Sequence, residues 1–185
     1  MVLVRYIIAL TLIAFSMMSC NSEGSLQRYL VDKQDDNKFV KVDLATSLLE
    51  ANDNNFSEEQ REILNTVKKI NVVAYPIKGG NKAEYETERN ALTAIIDQEK
   101  YQTLTKFKSN NIKTTLKYVG DDETIDEVIV FMSDDERGFA IFRLLGDEMR
   151  PGQMAKLITT LERGDLDFTK LTGLGEMFDV KADSI

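Results

Sequence analysis

The sequence predicts a single-domain α+β protein. Its mainly antiparallel sheet should have a β-meander in the C-terminal half and helices packed mostly on one face. Three observations predict this class. Residues 112–145 contain three strand-like runs separated by two turn signals. Helical spacings of apolar residues occur before and after these runs. The 185 residues suit one domain, and no low-complexity linker divides them.

The composition excludes several classes of chemistry. The chain has no histidine and no tryptophan, and its one cysteine is Cys20. A Ser-His-Asp or Cys-His nucleophile system and a histidine-ligated zinc site all need an imidazole. One cysteine cannot form an internal disulfide or a multi-cysteine metal site. We therefore predict a protein that is not an enzyme, with no cofactor and no catalytic, cofactor-binding or metal-ligating residues.

The N-terminus predicts a lipoprotein signal. Residues 6–18 read YIIALTLIAFSMM and follow a single basic residue, Arg5. This stretch is shorter than the roughly 20 apolar residues of a membrane span and is typical of a signal-peptide h-region. Met17-Met18-Ser19-Cys20 resembles a bacterial lipobox, in which diacylglycerol is attached to the cysteine before the signal is cleaved. The resemblance implies lipidation at Cys20; an ordinary secretory signal or an uncleaved anchor is the alternative.

These features divide the chain into four parts. We predict a lipoprotein signal peptide over residues 1–19 and a lipidated cysteine with a short tether over residues 20–25. An α+β domain should cover residues 26–164, followed by an apolar and acidic tail over residues 165–185. Because so short a tether spans about 17 Å at most, the domain should lie against the bilayer.

The first part of the domain mixes helical and strand patterns. Residues 25–36 have helical spacing, residues 39–44 alternate like a short strand, and residues 45–51 again read as helical. Ser57-Glu-Glu-Gln60 fits a capping box, and it should open a helix whose apolar stripe continues to Ile70.

The middle of the domain predicts a strand and two helical segments. Residues 70–77 read as a buried strand that closes at Pro76, and Gly79-Gly80 marks a turn. Apolar spacing predicts a long helix over residues 82–98 and a further helical segment over residues 101–107. The apolar residues of that second segment are Tyr101, Leu104 and Phe107.

The meander is the clearest section. Residues 112–118 alternate between apolar and polar, whereas residues 127–132 are apolar on both faces, as in the central strand of a sheet. Residues 139–145 form the third run, which brings the expected total to roughly five strands. An amphipathic helix should follow over residues 154–161 and end at Gly164.

Carboxylates are the abundant reactive groups. Asp121-Asp122-Glu123 and Asp134-Asp135-Glu136 fall in the two turns of the meander, at opposite ends of a strand about 33 Å long. We interpret both as solvated turns, with weak calcium binding as the alternative. A hydrolase that works without histidine would need acids from separate segments to meet, for instance Asp43, Asp97 and Glu127.

Neither the aromatic nor the basic residues indicate a ligand class. Five tyrosines lie at helix or strand spacing and are interpreted as core or interface residues: Tyr29, Tyr75, Tyr85, Tyr101 and Tyr118. Residues 68–69 and 106–117 contain several lysines. On a chain with a formal net charge of −8 these lysines indicate a salt-bridged surface, so no nucleic-acid partner is expected.

The order of these segments resembles domain-of-unknown-function family 4252, an uncharacterised family of Bacteroidetes lipoproteins. The resemblance rests on the lipobox cysteine, on Ile70-Asn-Val-Val-Ala-Tyr75, on residues 127–133 and 138–147, and on Met154-Ala-Lys-Leu-Ile158. It implies an outer-membrane or periplasmic α+β lipoprotein, sometimes associated with extracytoplasmic sigma-factor regulation. It provides no active site.

The functional expectation is a lipid-anchored protein of the cell envelope, at the outer membrane, that acts as a non-enzymatic binding or sensing and maintenance module. Its expected partners are the membrane, through the lipid at Cys20, and an envelope protein. The apolar tail over residues 166–178 is a candidate docking segment. A carboxylate- or metal-dependent hydrolase and a structural envelope tether are the alternatives.

Overall fold

A computed structural model describes residues 24–45, 57–77, 81–109, 111–121 and 123–160. Four helices and six strands are present in these ranges. In chain order they are α1 (Leu26–Asp32), β1 (Val40–Ala45), α2 (Glu58–Asn65), β2 (Val67–Pro76), α3 (Lys82–Ile96), β3 (Gln102–Ser109), β4 (Ile112–Gly120), β5 (Ile125–Asp134), β6 (Gly138–Met149) and α4 (Pro151–Thr160).

The six strands form one antiparallel sheet in the order β1-β2-β6-β5-β4-β3. Its C-terminal half is the predicted meander, with β5 between β4 and β6. The apolar character of β5 on both faces agrees with this central place. The predicted α+β class and the mainly antiparallel sheet are therefore confirmed, with one strand more than expected.

Each face of the sheet has its own apolar core. Face A is covered by α2 and α4, and its strand residues include Ile70, Val72, Val128, Val130 and Phe142. Face B is covered by α1 and α3, and its strand residues include Val73, Ile129, Phe131, Phe139 and Ile141. The helices thus differ from the prediction that they pack mostly on one face. The physical reason is that β2, β5 and β6 are apolar on both sides, so both sides need cover.

Strand β3 replaces the helical segment predicted over residues 101–107. The three-residue spacing of Leu104 and Phe107 has a different origin, since the β3–β4 register shifts between Thr103 and Thr105. A bulge of this kind inserts one residue and changes the side-chain phase. Leu104 and Phe107 therefore both pack against the face A core, although they are an odd number of residues apart.

Helix α2 begins with the predicted capping box. The Ser57 hydroxyl oxygen accepts from the Gln60 backbone N–H at 3.2 Å, and Gln60 Oε1 accepts from the Ser57 N–H at 2.7 Å. The helix ends at Asn65, however, and Val67 and Ile70 already belong to β2. The single stripe that predicted one helix is thus a helix followed by a strand, both of which face the same core.

Several predicted features lie outside the described residues. They are the signal segment with Cys20, the helical piece after Ala45, the Gly164 stop and the tail over residues 165–185. Within the described ranges, no helix has both the length and the apolar character that crossing a bilayer requires.

Candidate functional site

A row of polar side chains crosses face B near one end of the sheet. The strand register aligns Asp43 with Asn71, and Asn71 with Arg143. It then aligns Arg143 with Ile129, and Ile129 with Lys117, while Glu127 lies two residues from Ile129 on the same face. We call this set the polar row. Its members, in strand order, are Asp43, Asn71, Arg143, Glu127 and Lys117.

The centre of the polar row is a largely buried ion pair. Arg143 Nε donates to Glu127 Oε1 at 2.9 Å, and Nη2 donates to Glu127 Oε2 at 3.1 Å. The two side chains are only 13% and 12% exposed. The remaining guanidinium nitrogen, Nη1, donates to Gln27 Oε1 of α1. This fork geometry satisfies both carboxylate oxygens and holds α1 on the sheet.

Lys117 is the most deeply buried cation among the described residues, at 4% exposure. Its Nζ donates to Asp97 Oδ1 at 2.8 Å, and Asp97 is the C-cap residue of α3. A cation near a helix C-terminus also interacts favourably with the helix dipole. The pair therefore attaches the end of α3 to β4.

Asp43 ends the polar row on the edge strand β1. Its carboxylate accepts from the Asn71 side-chain amide, and Lys69 Nζ lies 3.8 Å from its second oxygen. On the same face of β1, Lys41 Nζ donates to two carbonyls of the loop that follows α1, at 2.6 and 3.1 Å. These contacts fix the loop against β1.

A shallow groove of about 230 Å³ lies between α1 and the strands β1, β2 and β6. Val31 lines it and is 47% exposed, the one exposed large apolar side chain within the described ranges. The rest of the lining mixes apolar and charged groups, including Leu30, Val73, Lys41, Lys69 and Asp43. The groove therefore offers apolar contact beside charges of both signs.

The aromatic residues under α1 and α3 are structural. Tyr29 Oη donates to Glu88 Oε2 at 3.0 Å, and Lys33 Nζ donates to Glu88 Oε1 at 2.6 Å. Burial, and then the charge of Glu88, raises the pKa of Tyr29 well above its usual range, so the phenol stays neutral and donates. All five tyrosines that were interpreted as core or interface residues are buried.

The two acidic clusters of the meander are built as turns. Asp121 Oδ1 accepts from the backbone N–H groups of Thr124 and Glu123 at 2.7 and 2.9 Å. These bonds, with Thr124 first, hold the pKa of Asp121 below its usual value. Asp134, at 2% exposure, accepts two backbone N–H bonds in the second turn. Both carboxylates therefore shape turns, as predicted, but Asp134 is buried and not solvated as expected.

The three acids that a hydrolase would have to bring together lie on one side of the sheet but are engaged separately. Asp43, Asp97 and Glu127 are paired with three different cations, namely Lys69, Lys117 and Arg143. Strands β2 and β6 separate the strands of Asp43 and Glu127, which corresponds to about 14 Å. The described part of the chain places no three Cys, Asp or Glu side chains so that they could hold a metal ion.

Sequence reasoning missed the polar row because its members come from five different strands. Each residue by itself is typical of a strand surface. The available signal was a single charge inside an apolar run, as with Arg143 within residues 139–145. A cation in a strand that is apolar on both faces has to find a partner, and Glu127 at the start of the neighbouring run was the candidate.

A comparison with models of protein families identifies the family of this chain. A family model described as "Domain of unknown function (DUF4252)" matches residues 29–157. The chain belongs to the DUF4252 family. The match begins within α1 and ends within α4, so it includes all six strands and every member of the polar row. The resemblance to this family that the sequence indicated is confirmed over these residues. Neither the curated proteins nor the solved structures gave a match.

Proposed function

We propose that this DUF4252 protein is a lipid-anchored protein of the cell envelope, at the outer membrane, and that its body is a non-enzymatic binding module. The observation that carries the anchor is the position of Cys20, directly after Ser19 at the end of an apolar stretch. Lipid chains on this cysteine would contribute roughly 0.8 kcal/mol per buried CH₂, so two or more chains would hold the protein stably.

The start of the body supports a close approach to the membrane. Gln98 Nε2, just after α3, donates to the Gly24 carbonyl at 3.0 Å, and Ser25 caps α1. Four residues extend about 14 Å at most, so a lipid on Cys20 would place the layer of α1 and α3 near the headgroups.

The groove beside α1 is the proposed binding surface. Arg143 lines the groove and is ion-paired with Glu127, so its charge is engaged within the protein. The exposed side chain of Val31 offers apolar contact. Polar contacts around it come from Lys41, Lys69 and Asp43. A segment of an envelope protein with an apolar side chain flanked by charges has the matching chemistry, which supports a sensing or maintenance role.

The anchor is tested with Cys20→Ala. Without the thiol no thioether forms, so the protein should keep its signal and should no longer fractionate with the outer membrane. Ser19→Ala is the matched control, because it keeps a small residue before the cysteine and should be processed normally. Mass spectrometry of the membrane form should find diacylglycerol on Cys20. Unchanged cleavage and fractionation of Cys20→Ala would overturn the anchor.

The binding surface is tested by photo-crosslinking in cells. A photoreactive amino acid in place of Val31 should give a defined adduct with an envelope protein, which mass spectrometry identifies. The same substitution at Asp32, exposed on the same helix but outside the groove, is the control. Equal adduct patterns at the two positions would exclude the groove as the binding surface.

The two alternative functions require different properties of the protein. A carboxylate- or metal-dependent hydrolase needs Asp43, Asp97 and Glu127 in one site, whereas each engages its own cation. A structural tether would depend on protein abundance and would be indifferent to changes at Val31.

A further inference from the structure

Strand β1 is an edge strand, and no described strand pairs with its outer side. Its inner side is paired with β2 along its whole length, from Val40 to Ala45. The outer backbone N–H and C=O groups of such an edge form a template for another strand. The question is which strand fits it.

We propose that β1 pairs antiparallel with β1 of a second copy of this protein, so that the two sheets join across a two-fold axis normal to the sheet. The axis lies between the two β1 strands at Val42, so that Val42 of one copy is opposite Val42 of the other. Lys41 of each copy then lies opposite Asp43 of the other, and Val40 lies opposite Leu44. Paired residues share a face, because Val40, Val42 and Leu44 lie on face A and Lys41 and Asp43 on face B.

The charges favour this register over its neighbours. Opposite charges directly across an antiparallel pair stabilise it, and like charges destabilise it. An axis through Lys41 would place two lysines against each other, and an axis through Asp43 would place two carboxylates against each other. The register centred on Val42 forms two complementary pairs and leaves no like pair in the strand.

The apolar side of β1 supports the same pairing. Val40, Val42 and Leu44 pack against the face A core but are only partly buried. Joining the two edges would bring these three residues of each copy beside their equivalents and extend the face A core across the axis. The burial of apolar area would add to the backbone hydrogen bonds.

The opposite edge, β3, lacks this self-complementarity. An axis through Phe107 would place Lys106 against Lys108 of the other copy, and an axis through Lys106 would place that lysine against itself. Lysines on an edge strand are a known defence against pairing. The two edges of one sheet therefore differ, and β3 provides a matched control.

A six-residue edge is smaller than a standard interface, so the dimer should be weak. Covalent trapping detects a weak dimer, and it is carried out in membranes of cells that express the full chain. Opposed Cα atoms of an antiparallel pair are about 4.5–5.5 Å apart, which a disulfide can span. Under mild oxidation, Val42→Cys should form a disulfide-linked dimer at several times the yield of Lys106→Cys on β3. The unchanged chain, whose one cysteine is Cys20, gives the background.

Charge exchange tests the register. In the Val42→Cys background, Lys41→Asp places carboxylates opposite each other and Asp43→Lys places lysines opposite each other, so each should reduce the dimer to the control yield. Because Lys41 also holds the loop after α1, a loss in one variant alone does not discriminate. Co-expression of the two variants with different tags restores both complementary pairs and should recover a mixed dimer.

Three results would overturn the proposal. They are a Val42→Cys dimer no more abundant than the Lys106→Cys dimer, a dimer that Lys41→Asp leaves unchanged, and a mixed pair no better than either variant alone. A monomeric Val42→Cys chain whose thiol resists alkylation would assign this edge to another segment of the same chain.

Discussion

Arg143 shows how one charged residue in an apolar strand organises its surroundings. Removing two charges from water costs several kcal/mol per ion, and the cost is recovered only with good geometry and further hydrogen bonds. Arg143 meets both conditions, since its guanidinium binds both oxygens of Glu127 and also Gln27. One arginine thus links β6, β5 and α1.

Removing the carboxylate of Glu127 should therefore destabilise the folded protein. Glu127→Leu leaves a largely buried guanidinium without its carboxylate, and we expect the free energy of unfolding to fall by about 3 kcal/mol. Combining it with Arg143→Leu should recover most of this loss, because no unpaired charge remains. Urea unfolding followed by circular dichroism measures both effects.

The surface pair of Lys156 and Glu59 is the control. Its side chains are 62% and 60% exposed, and the two charged groups are 2.7 Å apart. Exposed pairs contribute about 1 kcal/mol or less, so Glu59→Gln should change stability little. If Glu127→Leu unfolded at the same urea concentration as Glu59→Gln, the internal role of Arg143 would be refuted.

At the scale of elements, a glycine allows the α2–β2 junction to approach β6. A Cβ atom on Gly146 would lie 2.1 Å from the Thr66 carbonyl oxygen. The same oxygen accepts from the Asp147 backbone N–H at 3.0 Å, so it is held in place. A side chain at this position would have to displace backbone, which is harder than displacing the end of a flexible side chain.

Gly146→Ala should accordingly destabilise the protein by roughly 2 kcal/mol, within the usual range for overpacking. Gly152 at the start of α4 offers the comparison, because a Cβ there would meet no atom within 4 Å. Gly152→Ala should leave stability unchanged or raise it slightly, since alanine favours helix. Thermal melting of the two variants measures the difference, and equal melting temperatures would contradict the close approach.

At the scale of the whole molecule, the sheet separates two cores with different contents. Face A is mainly aliphatic, whereas face B contains an aromatic group in which Phe39 and Phe139 contact each other and Tyr75. The polar row and the groove both belong to face B, and Gly24, the first described residue, is bonded to Gln98 beside α3 on the same face. An anchor at Cys20 would thus act on the side of the sheet that carries the candidate site.

Much of the fold could be predicted from local patterns. Three predictions are confirmed, namely the meander, the capping box at Ser57 and the burial of the tyrosines. Each depends on spacing within one segment or on turn chemistry. Strand β3 and the end of α2 were not predicted, because a three-residue apolar spacing occurs in a helix and also in a bulged strand. Pairing with β4 distinguishes the two, and this pairing is a long-range contact.

The sequence by itself determined the exclusion of histidine chemistry, the lipobox-like cysteine, the α+β class and the family resemblance. Each depends on residue identity or on short-range periodicity, which one strand or helix contains in full. Only the tertiary structure decided that helices cover both faces and that five strands bring Asp43, Asn71, Arg143, Glu127 and Lys117 into one row. Strand order and register set which distant residues become neighbours, because side chains from separate segments meet only when backbone hydrogen bonds align their strands.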